Sequence, residues 1–209
     1  MEIKVCGMRD PMNIQELIDQ VKPDWMGLIF YSKSPRFVSD KSANQIAGFS
    51  VQKVGVFVNE EEAEILKRIK EFDLSAVQLH GQETPDFVES LSKKASTEIW
   101  KVISVENQID WESLKRYLPY VSKFLFDTAT STHGGSGRKF DWSILETYPF
   151  DKGFLLSGGL DEDSVESVLS LSEKIPQLDG VDLNSKFEDA PGFKNIENLV
   201  RFKKRLLQK

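Results

Sequence analysis

Val54-Gly55-Val56-Phe57-Val58-Asn59-Glu60-Glu61-Glu62-Ala63-Glu64-Ile65-Leu66-Lys67-Arg68-Ile69-Lys70-Glu71-Phe72-Asp73-Leu74-Ser75-Ala76-Val77-Gln78-Leu79 is the stretch that decides the fold. It begins and ends with apolar runs too short for buried helices, Val54 to Val58 and Ala76 to Leu79. Between them Asn59 can cap a helix, and Glu60 to Glu62 suit the positive end of its dipole. Ile65, Ile69 and Phe72 recur on one face. Strand, amphipathic helix, strand is the order of a βα unit, and the unbroken apolar runs imply burial on both faces, hence a parallel sheet under helices.

The unit recurs on both sides of this stretch. Further runs lie at Ile3 to Cys6, Trp25 to Phe30, Ile99 to Val105, Phe124 to Phe126, Phe154 to Leu156 and Val181 to Leu183. Their starts are roughly 22 to 30 residues apart, room for one strand, one helix and two turns. Asp161, after Gly158-Gly159-Leu160, is placed to cap a helix whose stripe is Val165, Val168 and Leu169. The last helix turns Ile196, Leu199 and Val200 inward and ends in Lys203, Lys204 and Arg205, cations suited to a solvated helix end. Eight such pairs predict an α/β fold, a closed (β/α)₈ TIM barrel forming a single domain over 1–209, at the short end of the usual range. The alternative is a doubly wound open sheet. It normally has fewer strands, and Cys6-Gly7-Met8-Arg9 lacks the dinucleotide glycine spacing.

Composition excludes other classes. The 209 residues are 40% hydrophobic and 11% aromatic, with 13 Gly and 8 Pro, as expected of a globular chain with a substantial core. Thirty-three acidic against 27 basic side chains give a net charge of -6, which opposes nucleic acid and anionic membranes as partners. Cys6 is the one cysteine, and His80 and His133 are the two histidines, so intrachain disulfides and Cys-rich zinc sites are impossible. Glu2 and Lys4 interrupt the N-terminus before any apolar stretch forms, and no run approaches a membrane span; the expectation is a cytoplasmic, unprocessed protein.

In such a barrel the chemistry belongs to the C-terminal ends of the strands and the loops after them. Cys6 ends the first strand, either as small barrel filling or as a general base. Asp127 ends the sixth, with no helix beginning until about Phe140, so capping a neighbouring helix does not explain it. His80 ends the fourth, as a substrate contact or a satisfied polar residue at the core edge. Arg36, in Ser32-Lys33-Ser34-Pro35-Arg36, offers a planar fork for a carboxylate or phosphate, or is part of a charged surface turn. Three segments, Gly134-Gly135-Ser136-Gly137, Ser157-Gly158-Gly159-Leu160 and Asp182-Leu183-Asn184-Ser185, follow strands six, seven and eight. Glycines let backbone N–H groups approach an anion, so together these segments form a candidate phosphate site. The loop from Ala129 to Lys139 is long enough to act also as a lid. Glu64 and Arg68 are spaced to pair across one turn.

The ordered set of motifs resembles the phosphoribosylanthranilate isomerase family. It comprises Lys4-Val5-Cys6-Gly7-Met8, Gly27-Leu28-Ile29-Phe30, Lys33-Ser34-Pro35-Arg36, Val54 to Asn59, Val77-Gln78-Leu79-His80-Gly81, Phe126-Asp127, Phe140-Asp141-Trp142 and Gly180-Val181-Asp182, together with the glycine segments. The resemblance covers essentially the whole chain. It implies the Amadori rearrangement of N-(5-phosphoribosyl)anthranilate to carboxyphenylamino-deoxyribulose phosphate in tryptophan biosynthesis, with Cys6 as general base and Asp127 as general acid. It also implies Arg36 on the anthranilate carboxylate, and Gly135, Ser136, Gly137, Gly158, Gly159, Asp182, Asn184 and Ser185 on the phosphate, with no metal or cofactor. The partner expected is the small phosphoribosyl substrate, in a monomer or homodimer. The chain departs from the family at Asn184-Ser185-Lys186, where the usual run is Ser-Ser-Gly and Lys186 would enter left-handed geometry less cheaply than glycine. It departs again at Ser157, where the family commonly has alanine. The roles of Cys6 and Asp127 also run against the ordinary preferences of a thiol and a carboxyl, so their surroundings must differ from water. Competing readings are the histidine-pathway isomerase, disfavoured because the glycine segments cluster in the second half, and indole-glycerol-phosphate synthase, which would carry an extra N-terminal segment. A non-catalytic phosphoribosyl-ligand sensor is the third.

Overall fold

Each apolar run forms a strand of one parallel sheet in the computed structural model, which describes residues 1–128 and 140–208. The strands are β1 (Glu2–Cys6), β2 (Trp25–Ile29), β3 (Gln52–Phe57), β4 (Ala76–Leu79), β5 (Glu98–Val105), β6 (Lys123–Thr128), β7 (Phe154–Leu156) and β8 (Leu178–Leu183). They pair in sequence order, and β8 pairs back onto β1 with Lys4 opposite Asp182, closing the barrel and excluding the open sheet.

Alternation along the strands explains why the runs are apolar throughout. Ile3, Val5, Leu79, Phe124 and Phe126 point outward into the core under the helices. Trp25, Val54, Ala76, Trp100, Val102 and Leu125 belong to a second, separate cluster that fills the barrel. The Trp25 and Trp100 rings meet edge to face, 4.7 Å between centroids. Lys123 and the Trp25 indole both donate to Glu2, at 2.7 and 3.1 Å, so the N-terminal end is plugged.

The helices are α1 (Pro11–Glu16), α2 (Ala43–Ala47), α3 (Glu62–Phe72), α4 (Pro85–Ser92), α5 (Trp111–Leu114), α6 (Val165–Lys174) and α7 (Ile196–Leu207), with a 3₁₀ turn, Trp142–Thr147, after β6. Where α5 and that turn are short, Trp111, Phe126, Tyr148 and Phe150 cover the sheet in edge-to-face pairs. Glu64 and Arg68 pair at 2.7 Å, as their spacing predicts. Asp161 takes part in a capping box with Ser164. The expectation for Asn59 fails: the N-cap of α3 is Glu61, and Asn59 sits at φ +50°. Its backbone N–H instead donates to Glu83, and its side chain accepts from the Gln82 N–H, tying two loops together.

The basic end of α7 is tied down within the chain. Lys203 donates to the Val21 carbonyl at 2.9 Å, and Arg205 pairs with Glu166 at 2.7 Å. Between β8 and α7 lies a short antiparallel hairpin that the apolar pattern does not announce, β9 (Glu188–Ala190) and β10 (Phe193–Lys194). Among the described residues no helix is long and apolar enough to cross a membrane.

Candidate active site

The C-terminal end of the barrel opens into a cavity, partly open to solvent, lined by Cys6, Arg36, His80, Asp127, Gly158 and Asp182 among others. Strand alternation brings these residues together. Lys4 and Cys6 lie two apart on β1 and face the barrel axis, as Asp182 does from the neighbouring strand. Lys4 is fully buried and its Nζ donates to Asp182 Oδ1 at 2.9 Å.

That pair sets the electrostatics around the thiol. Burial pushes the Cys6 thiol above its ordinary value; Lys4 pulls it down, Asp182 pushes it up and Lys194 pulls it down. The Asp182 carboxyl is likewise raised by burial, against the pull of Lys4. Burial opposes the charge on Lys4, but the attraction of Asp182 and Cys6 outweighs it and leaves Lys4 above its ordinary value.

Asp127, ending β6, faces the same cavity. Its Oδ1 accepts from the Thr128 N–H at 2.8 Å, and its Oδ2 lies 3.3 Å from His80 Nε2. The His80 backbone N–H donates to the Phe57 carbonyl at 2.8 Å. The loop after His80 is held by buried Glu83, which accepts from the N–H groups of Gly81 and Asn59 and from Lys101 at 3.0 Å. His80 therefore stands against the proposed acid on a rigid support, a pairing that the two residues' separation in sequence hides.

Arg36 reaches the cavity but is not the free fork expected from its loop. Its Nε and Nη2 donate to Glu188 at 2.9 and 2.6 Å, closing one edge of the guanidinium. Nη1 has no partner among the described residues. Glu188 sits below the usual carboxylate range because, although burial opposes its charge, hydrogen bonds and charge from Arg36 and Lys194 outweigh it.

The phosphate segments separate on inspection. Gly158 and Gly159 have φ of +90° and +67°, and a Cβ on Gly158 would lie 2.7 Å from the Thr128 nitrogen and 3.0 Å from Asp127 Oδ1. Only glycine allows this turn, which leads through Asp161 into α6. Ser157 beside it is buried, its N–H donating to the Phe126 carbonyl at 2.8 Å. Asp182 lines the cavity with its buried carboxyl accepting from Lys4 at 2.9 Å. Asn184 accepts from Lys194 at 2.8 Å and lies toward Arg36. Ser185 and Lys186 line the cavity in a 3₁₀ turn, and Lys186 has no positive φ, so its replacement of glycine brings no backbone strain. Gly135, Ser136, Gly137, His133 and the lid expected over 129–139 lie outside the described residues.

Sequence reading missed Lys4, Glu188 and Lys194, whose partners stand up to 181 residues away. A lysine inside an otherwise apolar strand run is the one local signal, and it marks Lys4.

A barrel with an acidic group, a thiol and a cationic fork facing one mouth-side cavity defines an enzyme of the (β/α)₈ class. The model of the N-(5'-phosphoribosyl)anthranilate isomerase family matches residues 3–205. A relative of that name from Phocaeicola vulgatus is 43% identical, the alignment covering 100% of this chain and 99% of that one. A solved structure from Thermotoga maritima, of monomers of a dimeric phosphoribosylanthranilate isomerase, superposes with a TM-score of 0.83 at 29% identity, covering 100% of both chains. Another phosphoribosylanthranilate isomerase, in complex with reduced 1-(o-carboxyphenylamino)-1-deoxyribulose 5-phosphate, does so with a TM-score of 0.79 at 30% identity, covering 99% of this chain and 98% of that one. The chain belongs to the N-(5'-phosphoribosyl)anthranilate isomerase family.

Proposed function

We propose that this isomerase of tryptophan biosynthesis converts N-(5-phosphoribosyl)anthranilate to 1-(2-carboxyphenylamino)-1-deoxyribulose 5-phosphate by acid–base chemistry shared between Asp127 and Cys6. Asp127 donates a proton to the furanose oxygen as the C1–O bond breaks, and the nitrogen lone pair forms the iminium. The iminium acidifies the C2 proton, which Cys6 removes as thiolate; the C–H electrons become the C1–C2 double bond of an enolamine and neutralise the iminium nitrogen. Proton return to C1 and loss of the enol proton give the ketone. His80 flanks the acid, Arg36 receives the ring carboxylate, and the Gly158-Gly159 turn receives the phosphate together with Ser185 and the Gly135 to Gly137 segment. Asp182 keeps Lys4 beneath the thiol.

One observation carries this reading: in a chain of this family, Cys6 from β1 and Asp127 from β6 line the same cavity. The ligand class is a small phosphoribosyl compound, the chain from 1 to 209 acts as one catalytic domain in the cytoplasm, and it works as a monomer or homodimer without nucleic acid or membrane. Purified protein is expected to deplete the fluorescence of freshly made phosphoribosylanthranilate. Cys6→Ala and Asp127→Asn are each expected to lower kcat by about 10² to 10⁴-fold or more while product-analogue binding persists. Binding without turnover by the unaltered protein would instead indicate a ligand sensor.

A further inference from the structure

The hairpin after β8 holds a buried lysine that the reaction above does not use. Lys194 has 0% side-chain exposure, and its Nζ donates to Glu188 Oε1 at 2.6 Å and to Asn184 Oδ1 at 2.8 Å. Its backbone is fixed as firmly: its N–H donates to Asn13 Oδ1 at 2.7 Å, and Asn13 Nδ2 donates to its carbonyl at 3.0 Å. An ammonium placed so deep costs more than an apolar side chain of the same size, so its position calls for a role besides filling space.

The role follows from what Glu188 does next. Its carboxylate takes Lys194 and the Gly192 N–H on Oε1 and the side edge of Arg36, Nε and Nη2, across both oxygens. One carboxylate between two cations leaves one positive charge in excess. That excess is offered where the guanidinium is still open, at the end edge formed by Nη1 and Nη2, and a planar fork matches one carboxylate in bidentate fashion.

We propose that Lys194 is a positioning residue for substrate recognition: through Glu188 it closes the side edge of Arg36 and leaves the end edge to receive the aromatic carboxylate, and so sets preference for a carboxylated substrate. The inference rests on the assignment of Arg36 to that carboxylate. Asn184, held by the same ammonium and lining the same cavity, is fixed on the other side of Lys194.

The test compares two substrates on each preparation, phosphoribosylanthranilate and the N-phosphoribosyl derivative of aniline, which lacks the carboxylate. The ratio of their kcat/KM values does not depend on the fraction of folded enzyme, so a merely structural defect leaves it unmoved. In the unaltered protein the ratio is expected to favour the carboxylated substrate. In Lys194→Met, and in Lys194→Gln, which keeps a donor for Glu188 but no charge, it should fall by about 10- to 100-fold, mainly through KM of the carboxylated substrate. An unchanged ratio in both variants, with preference intact in the unaltered protein, overturns the role of Lys194 alone. No preference in the unaltered protein overturns the Arg36 assignment and the inference with it.

Discussion

Cys6 shows how a single side chain's charge is a property of its neighbours. The charged groups that set it are Lys4 on its own strand, Asp182 on β8 and Lys194 on β10; burial and Asp182 push the thiol up, while Lys4 and Lys194 pull it down. Thiolate is the basic form, so its formation should raise kcat/KM with pH along the ascending, acid-side limb of a bell-shaped profile. Asp182→Asn removes a negative charge while keeping an oxygen for Lys4 to donate to. The thiolate then forms at lower pH, and the ascending limb should shift to lower pH. A pH–rate series on both proteins measures this, and a flat profile through the neutral range, with chemistry rate-limiting, would remove Cys6 and Asp127 as the pair. At this scale the sequence shows which residues stand at strand ends, Cys6, His80 and Asp127. It does not show that His80 meets Asp127 or that Lys4 meets Asp182, since one contact joins the ends of β4 and β6 and the other spans the β1–β8 seam, elements far apart in the chain.

The start of α6 links a local signal to the site. Asp161 and Ser164 satisfy each other: the Asp161 N–H donates to Ser164 Oγ at 2.9 Å, and that hydroxyl donates to Asp161 Oδ1 at 2.6 Å. This box anchors the helix directly after the Gly158-Gly159 turn. Ser164→Ala should therefore cost about 1 kcal/mol and lower Tm by roughly 2–4 °C, as calorimetry would show. Asp161 was legible because capping depends on residues three apart. Asn59 was misread for the opposite reason: a cap residue looks the same in sequence whether its side chain serves its own helix or, as here, the loop after β4. The β9–β10 hairpin was invisible because its purpose is to place Glu188 and Lys194 against Arg36 and Asn13, which are 152 and 181 residues away.

Closure of the barrel is a property of the whole chain. The seam pairs Glu2 with Gly180 and Lys4 with Asp182, joining the two ends of the polypeptide. A Cβ on Gly180 would press into the Glu2 backbone, lying 2.9 Å from its carbonyl carbon, so the strands could not keep this spacing. Gly180→Val should cost about 1–3 kcal/mol or more, a fall in Tm of roughly 2–4 °C for each kcal/mol. It should also disturb Cys6 and Asp182, which depend on the same seam; a variant with unchanged Tm would contradict this account. The sequence by itself determined the eight βα units, the parallel sheet and the strand ends at which chemistry belongs, because periodicity, capping and burial on both faces are local or repeating constraints. Only the tertiary structure decided which polar groups meet: Lys4 with Asp182, His80 with Asp127, and Glu188 with both Arg36 and Lys194. The reason is physical: those energies depend on through-space distance and on exclusion from water, and barrel closure sets both.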